Sequence, residues 1–180
     1  MTESFTQFAE ALAMDWRSES KSLAKTDRMA ELAAPAFAEK FSRSRNLELL
    51  ACGMDRCVIA LDKHWVIKLP ILELGRQANI WEADNYAKMP AQAHEWFAKV
   101  EQSHPDGHWL IMERLTPVHG DDLDDEFYEQ LSDLRFEIDD LNEGNVGWRG
   151  DDLVILDYGE PLFFKNPTED LAALKRRLMR

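Results

Sequence analysis

Three side chains that could bind a cation through oxygen atoms lie close together between residues 136 and 161. Asp140 and Asn145 are five positions apart, and an apolar run over residues 153–156 leads to Asp157. This spacing predicts a hairpin that brings the three side chains within reach of one point. Mg²⁺ is held by carboxylates, carbonyl oxygens, water and the phosphates of its substrate. The pattern therefore predicts a site for a hard cation that holds phosphates, although Asp and Asn are also common turn residues.

The segment from Asp140 to Gly159 resembles the catalytic loop and the metal-binding loop of protein-kinase-like phosphotransferases. Those enzymes have the pattern Asp-Leu-x-x-x-Asn, followed by a strand and Asp-Phe-Gly. The pair Gly144 and Asn145 is similar to the branch that acts on small molecules, of the aminoglycoside- and choline-kinase type. The resemblance implies that Asp140 is the base facing an acceptor hydroxyl, and that Asn145 and Asp157 hold Mg²⁺.

The chain departs from the family pattern at three positions and in length. Ile138 and Asp139 stand where the family usually has His and then Arg or Gly, and Tyr158 replaces Phe. About twenty residues follow Gly159, so the platform on which related enzymes bind protein substrates is expected to be largely absent. The resemblance covers roughly residues 47–161 and implies a minimal or truncated member of the family.

Two charged residues further upstream extend the resemblance. Val66, Ile67 and Lys68 are similar to the Val-Ala-Ile-Lys of the third strand in the family, and Glu82 follows Lys68 by fourteen positions in a predicted helix. The resemblance implies that Lys68 contacts the nucleotide phosphates and takes part in catalysis, and that Glu82 orients it. Taken singly, Lys68 is also compatible with a solvent-facing lysine on an edge strand, and Glu82 with a surface glutamate.

Three further residues are candidates for the nucleotide site. Gly53 is the only glycine between the first two predicted strands, where the family has several glycines that cradle phosphate. The strongly apolar strand that ends near Glu113 resembles the fifth strand and hinge of the family. The resemblance implies that backbone groups from Glu113 to Leu115 receive adenine.

The spacing of apolar residues predicts the elements that position these side chains. Helices are predicted over residues 3–24, 28–42, 73–89, 121–134 and 169–179, and Pro35 is expected to kink or split the second of them. Strands are predicted over residues 47–52, 57–61, 65–69, 98–101, 109–115 and 153–156.

These elements and the resemblance together imply an α+β, protein-kinase-like fold. The expected architecture is a small antiparallel-sheet lobe, a reduced helical lobe and preceding N-terminal helices. The predicted boundaries are 1–45 for the helical segment, 46–116 for the small lobe and 117–180 for the reduced lobe, which carries both loops.

The composition excludes several classes of function. The 180 residues carry a formal net charge of −13, which disfavours binding to nucleic acid, because phosphate contacts require Lys and Arg. The sequence contains no run of about 18 uncharged apolar residues, which is the length needed to span a membrane, so no membrane span is expected. The N-terminus lacks the basic start and apolar core of a secretory signal, so a cytoplasmic protein is expected.

The cysteines and histidines give no metal-binding motif in the sequence. Cys52 and Cys57 do not fit a zinc pattern. They are compatible with positions on either side of a hairpin turn, but in a reducing compartment they are expected to be free thiols buried in the core. The five histidines are scattered, without neighbours at ligand spacing, so no transition-metal site is predicted: His64, His94, His104, His108 and His119.

Three hypotheses about function remain open from the sequence. The first is a minimal phosphotransferase that uses ATP and Mg²⁺ on an unknown acceptor, either a small molecule or a protein. The second is a catalytically inactive, kinase-like protein that binds nucleotide and acts in regulation. The third is an acidic protein-interaction module that uses no nucleotide, suggested by the net charge and by the acidic run 121–126.

Overall fold

The structure is a computed structural model that describes residues 3–21, 27–118, 127, 136–137, 143–159 and 163–164. The described part is an α+β protein with helices and antiparallel sheets, which confirms the predicted class in its coarse form. The chain divides into two units: Met1–Ala83 with Val100–Arg114, and Asp84–Lys99 with Leu115–Arg180. Within the described ranges, every helix is too short or too polar to cross a membrane.

Three α-helices are described: α1 spans Glu3–Ser20, α2 spans Asp27–Ser44 and α3 spans Glu73–Lys88. Pro35 lies inside α2 without splitting it, so one of the two predicted outcomes does not occur. An internal proline removes a backbone hydrogen bond and costs about 3 kcal/mol. Burial of the apolar side of α2, which includes Phe41, offsets this cost.

The first unit contains a five-stranded antiparallel sheet with the strand order β1-β2-β3-β5-β4. Its strands start and end within two residues of the predicted bounds. They are β1 Glu48–Cys52, β2 Arg56–Ala60, β3 Trp65–Pro70, β4 Val100–Ser103 and β5 Leu110–Glu113. Because β3 pairs with β2 on one side and β5 on the other, it is a central strand, and its residues from Val66 onward are buried.

Helices α1 and α2 pack on this sheet and form its core. Trp16 of α1 is fully buried and makes edge-to-face contacts with Phe37 and Phe41 of α2, at ring-centroid distances of 4.9 and 5.1 Å. The indole Nε1 of Trp16 donates a hydrogen bond of 2.8 Å to the carbonyl of Pro70 at the end of β3. This cluster also contains Ile67, so the N-terminal helices support the strand that carries Lys68.

The prediction that Cys52 and Cys57 are free thiols is wrong: the structure joins them in a disulfide. The two residues face each other across the β1–β2 hairpin, with Cα atoms 4.1 Å apart. Directly opposed residues come this close at the narrow pairs of an antiparallel ladder. The sequence allowed for a hairpin turn between the two cysteines, but the prediction gave more weight to a reducing compartment than to the register that this turn sets.

The second unit contains a three-stranded sheet with the order β6-β8-β9 and a short two-stranded ladder. Tyr158 is buried after β9, and its hydroxyl donates a hydrogen bond of 2.6 Å to the carbonyl of Ala98. The strands are β6 Thr116–Pro117, β7 Phe136–Glu137, β8 Val146–Arg149, β9 Asp152–Ile155 and β10 Phe163–Phe164. Two 3-10 helices, Ala91–Trp96 and Glu143–Asn145, complete the described elements.

Two of the predicted helices lie outside the described residues. These are the helix over 121–134, of which only the buried Phe127 is described, and the helix over 169–179. Both therefore stay predictions from the sequence.

Candidate functional site

A buried ion pair joins the two charged residues that the resemblance singles out in the first unit. The ammonium of Lys68, on β3, donates to Oε1 of Glu82, on α3, at 2.7 Å. Lys68 is 4% exposed and Glu82 is fully buried, so neither has the solvent-facing position that the simpler interpretation offered. Buried charges are found mainly where they are paired. The pair fixes one carboxylate and one ammonium at a defined place in the core.

The side of α3 that faces the first unit is polar. Gly75, Asn79 and Glu82 are its buried residues, and their spacing of four and three positions puts them on one helical face. An ordinary packing helix presents apolar residues at this spacing. Gly75 permits close approach, because a Cβ atom there would lie 2.0 Å from the carbonyl oxygen of Asp55. The sequence of α3 is therefore suited to bring polar groups against the sheet.

Arg56 adds a second cation to this cluster, which the sequence analysis missed. Its guanidinium donates to Oε2 of Glu82 at 2.7 Å and to Oδ1 of Asn79 at 3.3 Å. Each carboxylate oxygen of Glu82 thus accepts a hydrogen bond from a different cationic side chain. Arg56 starts β2 directly after the turn, and no motif in the sequence marks it. The helical spacing of Asn79 and Glu82 would have been the available signal.

Asn79 connects this cluster with the turn between β4 and β5. It is fully buried, and its side-chain amide donates to the carbonyls of Lys68 at 3.3 Å and Gly107 at 2.9 Å. With the hydrogen bond from Arg56, both ends of the side chain are engaged. Asn79 therefore fixes the backbone at Lys68 while it orients Arg56.

Gly53, the predicted phosphate-binding glycine, lies in the turn between β1 and β2. Its amide donates a hydrogen bond of 2.9 Å to the carbonyl of Arg56, which closes the turn. This amide is therefore engaged within the protein. The residues of the turn are too few to form the several-glycine cradle of the family, so the cations Lys68 and Arg56 are the main groups here that suit phosphate.

The predicted hinge residues lie at the end of β5 and just beyond it. Glu113 is half-buried and opposes Trp65 in the ladder between β3 and β5. Arg114 follows, and its amide donates a hydrogen bond of 2.7 Å to the carbonyl of His64. Leu115 is the first residue of this stretch to belong to the second unit. Their role as the adenine-binding segment stays a prediction.

In the second unit, Asn145 and Asp157 flank one end of the β8–β9 hairpin. Asn145 immediately precedes β8, and its carbonyl accepts a hydrogen bond of 2.7 Å from the amide of Leu156. Oδ1 of Asp157 accepts a hydrogen bond of 3.2 Å from the amide of Gly159, which orients the carboxylate. The hairpin thus brings the two predicted metal ligands to the same end of the unit. Asp140, the predicted base, lies outside the described residues.

Two histidines, His104 and His108, lie close to each other and to Asp106, whereas the sequence analysis expected no histidine to have a neighbour at ligand spacing. In the turn between β4 and β5, His104, Asp106 and His108 each offer a ligand atom within 4.8 Å of the others. Burial lowers the pKa of His108 below its ordinary value, and Arg17 and Arg76 lower it further. The signal in the sequence was the run His-Pro-Asp-Gly-His, in which a tight turn folds both ends together.

Comparison with known proteins leaves the family of this chain open. No protein-family model matches it, and no curated protein matches it in sequence.

Proposed function

We propose that the protein is a minimal, kinase-like phosphotransferase that uses ATP and Mg²⁺. The observation that carries this proposal is the buried pair of Lys68 and Glu82, 2.7 Å apart on the third strand and the following helix. A lysine held in this way presents a fixed positive charge to a nucleotide phosphate. The resemblance implies this pair, and its geometry supports the role.

The second support is the arrangement of oxygen ligands in the second unit. Asn145 and Asp157 supply one amide oxygen and one carboxylate at the same end of the β8–β9 hairpin. Mg²⁺ takes such ligands together with water and substrate phosphates. In the proposed reaction, Asn145 and Asp157 would hold Mg²⁺, which would neutralise negative charge on the phosphates of ATP. This is the chemistry that the metal supplies when bound.

The proposed reaction transfers the γ-phosphoryl group of ATP to a hydroxyl of the acceptor, with ADP as the leaving group. Lys68 binds the phosphates, and Glu82 holds Lys68 in position. Asp140 takes the proton of the hydroxyl as the new P–O bond forms, a role that stays a prediction from the resemblance. Catalysis of this kind consists largely of positioning and charge stabilisation.

The proposal is tested with the purified full chain, ATP labelled in its γ-phosphate and a panel of hydroxyl-bearing acceptors. We expect Mg²⁺-dependent label transfer, or slow ATP hydrolysis, that Asp157→Asn abolishes. The matched control is Asp152→Asn, because Asp152 is an exposed aspartate on the neighbouring strand β9. If the parent protein neither binds nor consumes ATP, or if the two variants are equally active, the proposal is overturned.

A second candidate is a kinase-like protein that binds nucleotide without turnover. It is favoured by the β1–β2 turn, whose amide at Gly53 is engaged with Arg56 in place of a glycine-rich loop. It predicts that ATP raises the melting temperature and that Lys68→Met removes this effect, while no phosphate is transferred. The label-transfer assay separates the two candidates, because only the first predicts a labelled product.

A further inference from the structure

The turn between β4 and β5 carries two imidazoles and one carboxylate that converge. Nδ1 of His104 lies 4.0 Å from Oδ2 of Asp106 and accepts a hydrogen bond of 3.0 Å from the amide of Asp106. The rings of His104 and His108 have centroids 4.7 Å apart. The ligand atoms of all three lie within 4.8 Å of one another. Ligand atoms around a tetrahedral Zn²⁺ are about 3.4 Å apart, given bonds of about 2.1 Å. Small side-chain rotations would therefore close the set around one ion.

The backbone that carries these side chains is held from both sides. Within the turn, Gly107 donates to the carbonyl of His104 at 2.8 Å, and His104 donates to that of Trp109 at 3.0 Å. From α3, Arg76 donates twice to the carbonyl of Asp106, at 3.1 Å each, and Asn79 donates to that of Gly107 at 2.9 Å. A site whose supporting backbone is already ordered loses less conformational entropy on binding.

One ring nitrogen of His108 makes no hydrogen bond in the described structure. Nδ1 of His108 is buried and has no hydrogen-bond partner. A buried polar atom in this condition costs about 1–3 kcal/mol, so a histidine serving the fold alone is expected to have that atom paired. Coordination of an ion by the imidazole ring would explain why a histidine, and not an apolar residue, occupies this position.

We propose that His104, Asp106 and His108 form a binding site for one divalent transition-metal ion, of which Zn²⁺ is the reference case. Two imidazoles and a carboxylate suit Zn²⁺, Ni²⁺ or Cu²⁺, whereas Mg²⁺ and Ca²⁺ prefer sites built of oxygen alone. The three protein ligands leave a position open to water or to a further ligand, and the side chain of Asp106 is 69% exposed.

The surrounding charges set the expected strength of the site. Arg17 and Arg76 act on His108 as positive charges, whereas Asp106 acts on it as a negative charge. We therefore expect weaker binding than that of a closed structural zinc site. The site shares no ligand with the proposed phosphotransfer residues, so its existence does not depend on that function.

The test is titration calorimetry of Zn²⁺ into tag-free, chelator-treated full-length protein, without thiol reductant so that Cys52 and Cys57 stay paired. We expect one Zn²⁺ per chain, and no comparable heat with Mg²⁺. His104→Gln and Asp106→Asn should each weaken Zn²⁺ binding by about 100-fold or more, because even outer-shell changes cost about 10–100-fold. His64→Gln is the matched control, since His64 is an exposed histidine in another turn of the same sheet.

Cobalt provides an independent readout of the geometry. Co²⁺ bound by these ligands should give visible absorption bands typical of a four- or five-coordinate ion, and the same two variants should lose them. Asp106→Asn keeps the test decisive if a histidine variant fails to fold, because its side chain is largely exposed. The proposal is overturned if the parent binds no Zn²⁺, or if Asp106→Asn and His64→Gln bind it equally well.

Discussion

Glu82 is the residue on which the first unit's polar cluster depends. It is fully buried, and its two carboxylate oxygens accept from Lys68 and Arg56 at 2.7 Å each. Exchange of a buried ion pair for apolar residues is often neutral or stabilising. Stability alone therefore does not explain why this core holds two cations, a carboxylate and a buried amide. A function that needs a fixed positive charge does explain it.

Glu82→Gln should destabilise the protein by about 3 kcal/mol, because two buried cations lose the carboxylate that they share. Urea unfolding followed by circular dichroism measures the effect. Asp84→Asn on the same helix is the control, because Asp84 forms an exposed ion pair with Lys88 that is worth at most about 0.5 kcal/mol. Equal stability of the two variants would contradict the central role of Glu82.

At the scale of elements, α3 is placed by a glycine rather than by apolar packing. A Cβ atom at Gly75 would lie 2.0 Å from the carbonyl oxygen of Asp55 and 2.9 Å from Cγ of Arg56. Backbone of the β1–β2 turn occupies this space, so it cannot move aside as the end of a flexible side chain can. The contact brings α3 close enough for Glu82 to reach Lys68 and Arg56.

Gly75→Ala should therefore destabilise the protein by roughly 1–3 kcal/mol, as overpacking does, even though alanine favours a helix by about 1 kcal/mol. Thermal and urea unfolding measure the change. Ala87→Gly, at an exposed position of α3, calibrates the helix-propensity effect alone. If Gly75→Ala were more stable than the parent, the close approach of α3 to the turn would be refuted.

The turn between β4 and β5 provides a second test at this scale. Gly107 and Gly150 both have positive φ, at 70° and 65°, but a Cβ atom at Gly107 would meet the carbonyl oxygen of Arg76 at 2.1 Å, whereas Gly150 has open space. Alanine at either site costs about 1–2 kcal/mol for its backbone conformation. Gly107→Ala should cost measurably more in urea unfolding, and equal losses would speak against the packing of this turn on α3.

At the scale of the molecule, the N-terminal helices form part of the first unit's core. Trp16 is buried among the aromatic residues of α2 and bonds to the carbonyl of Pro70, two residues beyond Lys68. Helices α1 and α2 therefore support the central strand of the sheet. The sequence predicts two amphipathic helices that either pack on the elements that follow or bind a partner, and it does not give the surface that they cover.

Trp16→Ala should cost about 3–5 kcal/mol, because it leaves a large cavity and an unpaired carbonyl at Pro70. Met14→Ala, at a side chain of the same helix that is 60% exposed, is the control and should stay close to the parent. Both are compared by urea unfolding. A small effect of Trp16→Ala would mean that α1 packs only loosely on the sheet.

The sequence predicted the order of the elements in the first unit and the pairing of Lys68 with Glu82, because both follow from local periodicity and from a known motif. It did not predict strands β6, β7, β8 and β10 of the second unit. It missed Arg56 and the disulfide, since each depends on which residues face each other across a turn. It also missed the cluster of His104, Asp106 and His108, because the ligands converge only when Gly107 adopts a left-handed conformation. The spacing of residues in the sequence does not predict contacts that depend on the tertiary structure.

We propose that Lys68 binds the phosphates of ATP, and titration calorimetry of ATP with Mg²⁺ measures this binding. The parent chain should bind one nucleotide, with affinity that falls when Mg²⁺ is removed. Lys68→Met should abolish binding, whereas Lys63→Met, which removes an exposed lysine from the neighbouring turn, should leave it unchanged. If the parent bound no nucleotide, or if the two variants bound it equally while both remained folded, Lys68 would not be a nucleotide-binding residue.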